Sequence, residues 1–181
     1  MTTRQFQIVF YTIIGFCTLT IVLSYILFDY MEAGTAMNWS IKYFALPIFI
    51  IMLPSCSFIY IRFSRPFEKK KYNSKLRVQL RTIFRISIFT LSMTLFFVGT
   101  TFSLIILTNA YSGESRTIHL NAKVVDYYTL RNKGRKRHYI KIQDQQIDRI
   151  IELKVQDSYE IGQTFNKTMK NGKWGLIYSE Q

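Results

Sequence analysis

The sequence predicts a membrane α-helical protein, three transmembrane helices followed by a small all-β C-terminal domain, and three observations predict it. Apolar residues gather before residue 112 in runs longer than a soluble core helix needs. From Thr117 onward the hydrophobic period falls to two, as in strands with one buried face. The charge is uneven along the 181 residues: nine Lys/Arg face one acid between Arg62 and Arg85, and thirteen face eight from Gly113 on, within a net +13.

Residues 8–28 hold no charge over 21 positions, and at about 1.5 Å per residue they cover a hydrocarbon core of roughly 30 Å. A signal peptide is the competing reading, with Arg4 before the run and Gly34 and Ala36 as small residues near a cleavage point. The run exceeds the roughly 7 to 15 apolar residues of such segments, so an uncleaved span is expected. Residues 43–61 form the second run, with Pro47 and Pro54 as kinks that membrane helices tolerate. The third run, 84–107, is preceded by Asn73-Ser74, a cap for a helix that starts in water. Arg77, Arg81 and Arg85 recur every fourth residue at its foot, a basic stripe placed to meet anionic head groups.

Orientation follows from the loops. The loop 62–83 and its flank carry the Lys/Arg excess, whereas residues 29–42 hold two acids and one lysine. Basic loops stay cytoplasmic, so the N-terminus and the 62–83 loop are expected inside and the C-terminal domain outside, in a bacterial inner (cytoplasmic) membrane. Tyr30, Trp39, Tyr43 and Tyr111 fall at the outer boundaries, where an aromatic belt belongs. Beyond Arg85, the spans contain no charged residue or histidine, which argues against an ion-coupled pump. In the third span Ser92, Gly99 and Ser103 make one stripe of small residues suited to helix packing, within the chain or between copies, and Thr90, Thr94 and Thr101 make another. Cys17 and Cys56 read as small buried hydrophobes.

The domain from 113 to 181 is expected to be an open barrel of about five strands, OB- or SH3-like. Ile118, Leu120, Ala122 and Val124 share one parity and Val125 and Tyr127 the other, which marks a bulge. With Lys133-Gly134 as a two-residue loop, Val125 and Tyr127 face Ile142 and Ile140, Asp126 faces Lys141, and Tyr128 faces Tyr139. Asp144-Gln145-Gln146 closes the next turn, and Ile147, Ile151, Leu153 and Val155 alternate after it. A strand through Phe165 and Met169 then meets residues 174–178 across Asn171-Gly172. His119 is placed opposite a residue near Asp148.

Arg131, Lys133, Arg135, Lys136 and Arg137 crowd the first hairpin tip, an array suited to phosphates of lipid or envelope polymer. An outward domain seldom meets nucleic acid. A face around Tyr128, Tyr139 and Trp174 is the second choice. No nucleophile motif, close acid pair, glycine-rich phosphate loop or metal-ligand spacing is present, so no enzyme activity and no cofactor are expected. The expected function is a non-enzymatic membrane protein that presents a basic β-domain as an envelope interaction module, an immunity or accessory subunit in its narrower version. Its expected partners are anionic membrane lipids and a protein or a second copy. The alternatives are a homo-oligomeric pore or gated channel, and a membrane effector whose domain senses a nucleotide.

Overall fold

The computed structural model describes residues 3–64, 74–113, 115–132, 135–143 and 150–180. Three helices are long and apolar enough to cross a membrane, over Arg4–Ile26, Ala33–Phe63 and Lys75–Tyr111, which fits a membrane protein. The first is α1 (Thr3–Ile26). The second is composite: α2 (Ala33–Trp39), a π-helical stretch Ser40–Ala45, α3 (Leu46–Ile59) and a second π-helical stretch Tyr60–Ser64. It begins at Ala33 rather than Tyr43. Pro47 sits in the first turn of α3; it donates no backbone N–H and its ring crowds the carbonyl four residues back, and the helix widens to a π turn just before it. The third is α4 (Lys75–Tyr111).

The chain divides into two compact units, Met1–Trp39 with Phe102–Gln181, and Ser40–Thr101. In the second unit, Cys56 and Tyr60 are buried, as are Val78, Thr82, Thr90, Thr94 and Val98. Those five α4 positions follow steps of four, a ridge that winds around the helix rather than a single straight face. Hydroxyls there turn back on their own helix: Thr82 donates to the Val78 carbonyl at 2.7 Å, Thr94 to Thr90 at 2.8 Å and Ser57 to Leu53 at 2.7 Å. Such back-bonding satisfies a polar group where lipid offers no partner.

The first unit holds a closed antiparallel barrel. Its strands are β1 (Phe28–Met31), β2 (Arg116–Asn132), β3 (Arg135–Gln143), β4 (Ile150–Val155), β5 (Thr164–Asn171) and β6 (Ile177–Glu180), in the order β1-β4-β3-β2-β5-β6. The open five-stranded sheet expected from the sequence is thus closed and six-stranded. Its sixth strand comes from the segment between the first two helices: Met31 pairs with Lys154 on one side and with Tyr178 on the other. Leu120, Ala122, Val124, Ile140, Ile142, Ile151, Leu153, Phe165, Met169 and Ile177 fill the interior, with Tyr30 among them.

The hairpin register is as read, with one change. Asp126 faces Lys141, Tyr127 faces Ile140 and Tyr128 faces Tyr139, but Ile142 is met by Val124. Val125 is the extra residue of the bulge between Val124 and Asp126 and is exposed. His119 lies opposite Thr168 of β5, because the first half of β2 pairs with β5; Asp148, near which the sequence placed its partner, lies outside the described residues. The last strand starts at Ile177; Trp174 and Gly175 belong to the turn, where Gly175 takes a φ of 76° that glycine alone adopts readily. The Asp144-Gln145-Gln146 turn, Ile147, the Lys133-Gly134 loop and Asn73 of the expected cap lie outside the described residues.

A second apolar cluster lies where helix ends meet the barrel. Phe28, Met31, Ala36, Phe102, Ile106, Ala110, Leu176 and Tyr178 are buried together, and Phe28 meets Tyr178 edge-on at 5.4 Å. Glu32, only 2 % exposed, stands just before α2. Its carboxylate accepts the Thr35 hydroxyl at 2.5 Å and the Ile177 N–H at 3.3 Å, while its own N–H donates to Ile177 at 3.0 Å. An acid at a helix N-terminus meets the positive end of the helix dipole, and here it also ties β1 to β6.

Candidate functional site

Strand alternation and register decide where the hairpin cations go. Arg131 lies directly opposite Lys136, Asn132 opposite Arg135, and Leu130 opposite Arg137. Side chains alternate faces along a strand, so Arg131 and Lys136 share the face of Tyr127 and Ile140, while Arg137 shares the outer face with Leu130, Tyr128 and Tyr139. The structure therefore brings Arg131 and Lys136 together and sends Arg137 to the other side. Lys133 and the side chain of Arg135 lie outside the described residues. Like charges directly opposite each other destabilise a strand pair, so the Arg131–Lys136 juxtaposition gives nothing to folding.

The outer face of β2, β3 and β4 is ordered by pairs. The rings of Tyr128 and Tyr139 stack at 5.1 Å with 6° between planes. Lys141 binds Asp126 at 2.9 Å and holds its carboxyl below the usual aspartate range. The bond therefore adds stability above the ordinary aspartate range, which is lost as pH falls through the lowered value. Burial and a hydrogen bond to Glu152 keep the Tyr128 phenol well above its ordinary value, a protonated donor at neutral pH. Both acids of this face are thus engaged. Gly34, at the start of α2, comes so close to β4 that a Cβ there would sit 3.1 Å from the Glu152 carboxylate.

Toward the tip the same face is basic. Arg137 lies 5.9 Å and Lys154 5.7 Å from the ring of Tyr25, the second-last residue of α1. Both are within cation–π range of one ring. Sequence reasoning missed Tyr25 and Lys154, since nothing local relates residue 25 to residue 154. Trp174 does not join Tyr128 and Tyr139; its indole N–H donates to Thr108 near the end of α4 at 3.2 Å. His119 and His138 bond through Nδ1 to the Thr168 hydroxyl at 2.8 Å and the Tyr127 phenol at 2.5 Å.

The small-residue stripe of α4 does not share one environment. Ser103 is fully buried, Gly99 half-buried and Ser92 exposed. Ser103 takes part in a hydroxyl bond between two helices, accepting from Ser24 of α1 at 3.0 Å. Arg77, Arg81 and Arg85 line an exposed side of the foot of α4 beside exposed Leu76, Leu80 and Phe84.

Asn109, a lone carboxamide at the end of an apolar helix, makes a latch to the β5–β6 turn. Its Nδ2 donates to the Leu176 carbonyl at 2.9 Å, and its Oδ1 accepts the N–H of Trp174 at 2.9 Å and of Leu176 at 3.3 Å. Its own carbonyl accepts the Lys173 N–H at 3.0 Å, and the Tyr178 hydroxyl donates to the next carbonyl, Ala110, at 3.3 Å. Compared with protein-family models, curated proteins and solved structures, the chain finds no match.

Proposed function

We propose that this is a non-enzymatic integral membrane protein whose barrel is held at the membrane surface as an interaction module, with the β2–β3 hairpin as its anion-binding edge. The observation that carries the reading is the barrel's construction: β1 lies between the first two spanning helices in sequence and pairs with β4 and β6, so the barrel is built on helix ends. Five cations in the seven residues from Arg131 to Arg137 supply the attraction. The barrel is OB-like in this reading, since the long, bulged β2 pairs with β5 along its first half and β3 along its second. The setting is a bacterial inner membrane, with the partner an anionic envelope component and the protein an accessory or immunity subunit.

The test uses the full chain in nanodiscs of neutral lipid, because the barrel is incomplete without β1. Wild type is expected to bind anionic vesicles at low ionic strength and release them at high ionic strength. Replacing Arg131, Lys133, Arg135, Lys136 and Arg137 by Gln should weaken binding at least a hundredfold, each cation being worth on the order of 1 kcal/mol near an anionic surface. Binding that ignores salt, or that survives the replacement, would sink the hairpin as the docking edge.

The charge of the 62–83 loop sets the orientation in this proposal. Cysteine placed at Lys136 in a chain with Cys17 and Cys56 replaced is expected to react with an impermeant reagent on intact cells, and cysteine at Lys70 only after permeabilisation. The reverse pattern puts the barrel in the cytoplasm.

A further inference from the structure

We infer that the tip of the β2–β3 hairpin rests on the leaflet that the chain's own helices cross, with Leu130 set into the lipid beside the end of α1. The inference rests on the membrane-surface reading above and deepens it. The hairpin tip has two faces, and this is the one turned away from Arg131 and Lys136.

The depth of the tip follows from its contact with a spanning helix. Arg137 of β3 lies 5.9 Å from the ring of Tyr25, and Tyr25 is the second-last residue of α1, a helix long and apolar enough to cross. Aromatic residues at the ends of such helices mark the boundary between lipid and water. The same ring lies 6.5 Å from Phe102 of α4. From Phe102, α4 runs nine residues further to Tyr111, roughly 13 Å at the rise of a helix. The hairpin tip thus stands level with the end of α1 and well short of the end of α4.

Leu130 is the apolar residue at that level. It lies directly opposite Arg137 and so shares the face that meets Tyr25, yet it is 52 % exposed. The stacked Tyr128 and Tyr139 continue this face, and Val22, one turn before Tyr25 on the same side of α1, is exposed as well. An apolar side chain, aromatic rings and a long cation at one level compose a membrane-interface surface, where the first enters lipid and the last reaches the head groups. Exposure alone does not single out Leu130, since Ile161 is 70 % exposed. Ile161, however, lies by the middle of β2, where the Gly162 N–H donates to the Val124 carbonyl at 2.8 Å. Val124 is eight residues from each end of β2, and both ends of that strand stand at helix ends. The strand is an arch whose middle is held away from the leaflet.

The experiment uses the full chain, with Cys17 and Cys56 replaced, in nanodiscs of phosphatidylcholine and phosphatidylglycerol. A nitroxide is placed on a single cysteine, Thr129→Cys, Leu130→Cys or Ile161→Cys, all three being exposed positions that tolerate a label. Power saturation of the spin resonance compares collisions with oxygen, which concentrates in lipid, and with a polar nickel chelate, which stays in water. At Leu130→Cys oxygen is expected to dominate, with the label roughly 5 to 10 Å into the boundary between head groups and acyl chains. At Thr129→Cys, on the opposite face of the strand, and at Ile161→Cys the nickel chelate should dominate. A label at 130 as open to nickel as the one at 129 would put the tip in water and overturn the inference. A label at 130 shielded from both reagents would mean that protein, a second copy included, covers Leu130, and would overturn lipid as its occupant. Arg131→Gln with Lys136→Gln should leave the label at 130 where it is, so failure of the vesicle-docking edge and failure of this contact are read separately.

Discussion

Gly172→Ala is expected to destabilise the protein by about 2 to 3 kcal/mol, as overpacking of a rigid contact does. A Cβ on Gly172 would land on the carbonyl oxygen and the carboxamide of Asn109, and neither has room to withdraw. The carboxamide is fixed by bonds to Trp174 and Leu176, and the carbonyl belongs to the last turns of α4. Gly113→Ala is the control: its Cβ would meet only the flexible Lys173 side chain at 3.5 Å, so the change should stay within about 0.5 kcal/mol. Asn109→Ala is itself costly, because it leaves the backbone groups of Trp174 and Leu176 unsatisfied at about 1 to 3 kcal/mol each. It also removes part of the obstacle to Gly172→Ala, so the double variant should be less damaged than the sum by about 1 kcal/mol or more. Thermal unfolding in detergent reads all four proteins, and strict additivity would show that the two residues do not meet.

The second large effect concerns the barrel in isolation. Residues 113–181, expressed alone, are expected to show poorly dispersed amide resonances and no cooperative unfolding. That fragment lacks β1, so β4 and β6 lose the strand between them and two hydrogen-bonding edges open. The interior also loses Tyr30, which packs on Phe165 at 6.3 Å, and the outer side of β6 loses Phe28 from against Tyr178. A domain of this size has little stability in reserve. A sharp, cooperative melt of the fragment would mean that five strands suffice and that β1 is an accessory edge.

What was legible in the sequence was local. The three apolar runs stood out because a spanning helix needs some twenty uncharged residues in a row, and the β2–β3 register followed from matching Tyr127 with Ile140 and Tyr128 with Tyr139 across a short loop. The bulge was visible as a change of parity but its position was not: whether Val124 or Val125 opposes Ile142 turns on a single residue, and both are valines. Strand β1 left no trace because four residues cannot establish a period and its partners lie more than a hundred positions away. Asn109 was passed over because it reads as one polar residue ending an apolar helix; its meaning depends on the turn it meets. The Arg137–Tyr25–Lys154 corner failed for the same reason, each residue being ordinary where it stands.

The position of β1 also orders events during synthesis. Phe28 pairs with Glu180, so this contact spans nearly the whole chain. Loop closure over that distance contributes nothing until β6 exists, and by then all three apolar helices have left the ribosome. Until β1 is in place, β4 keeps an unpaired edge open to wrong pairing. The strand completes the sheet only if the segment between the first two helices and the segment after the third have been delivered to the same side of the bilayer. Closure of the barrel and the threading of the helices are therefore one geometric condition: a chain whose two segments end on opposite sides is left with an open sheet.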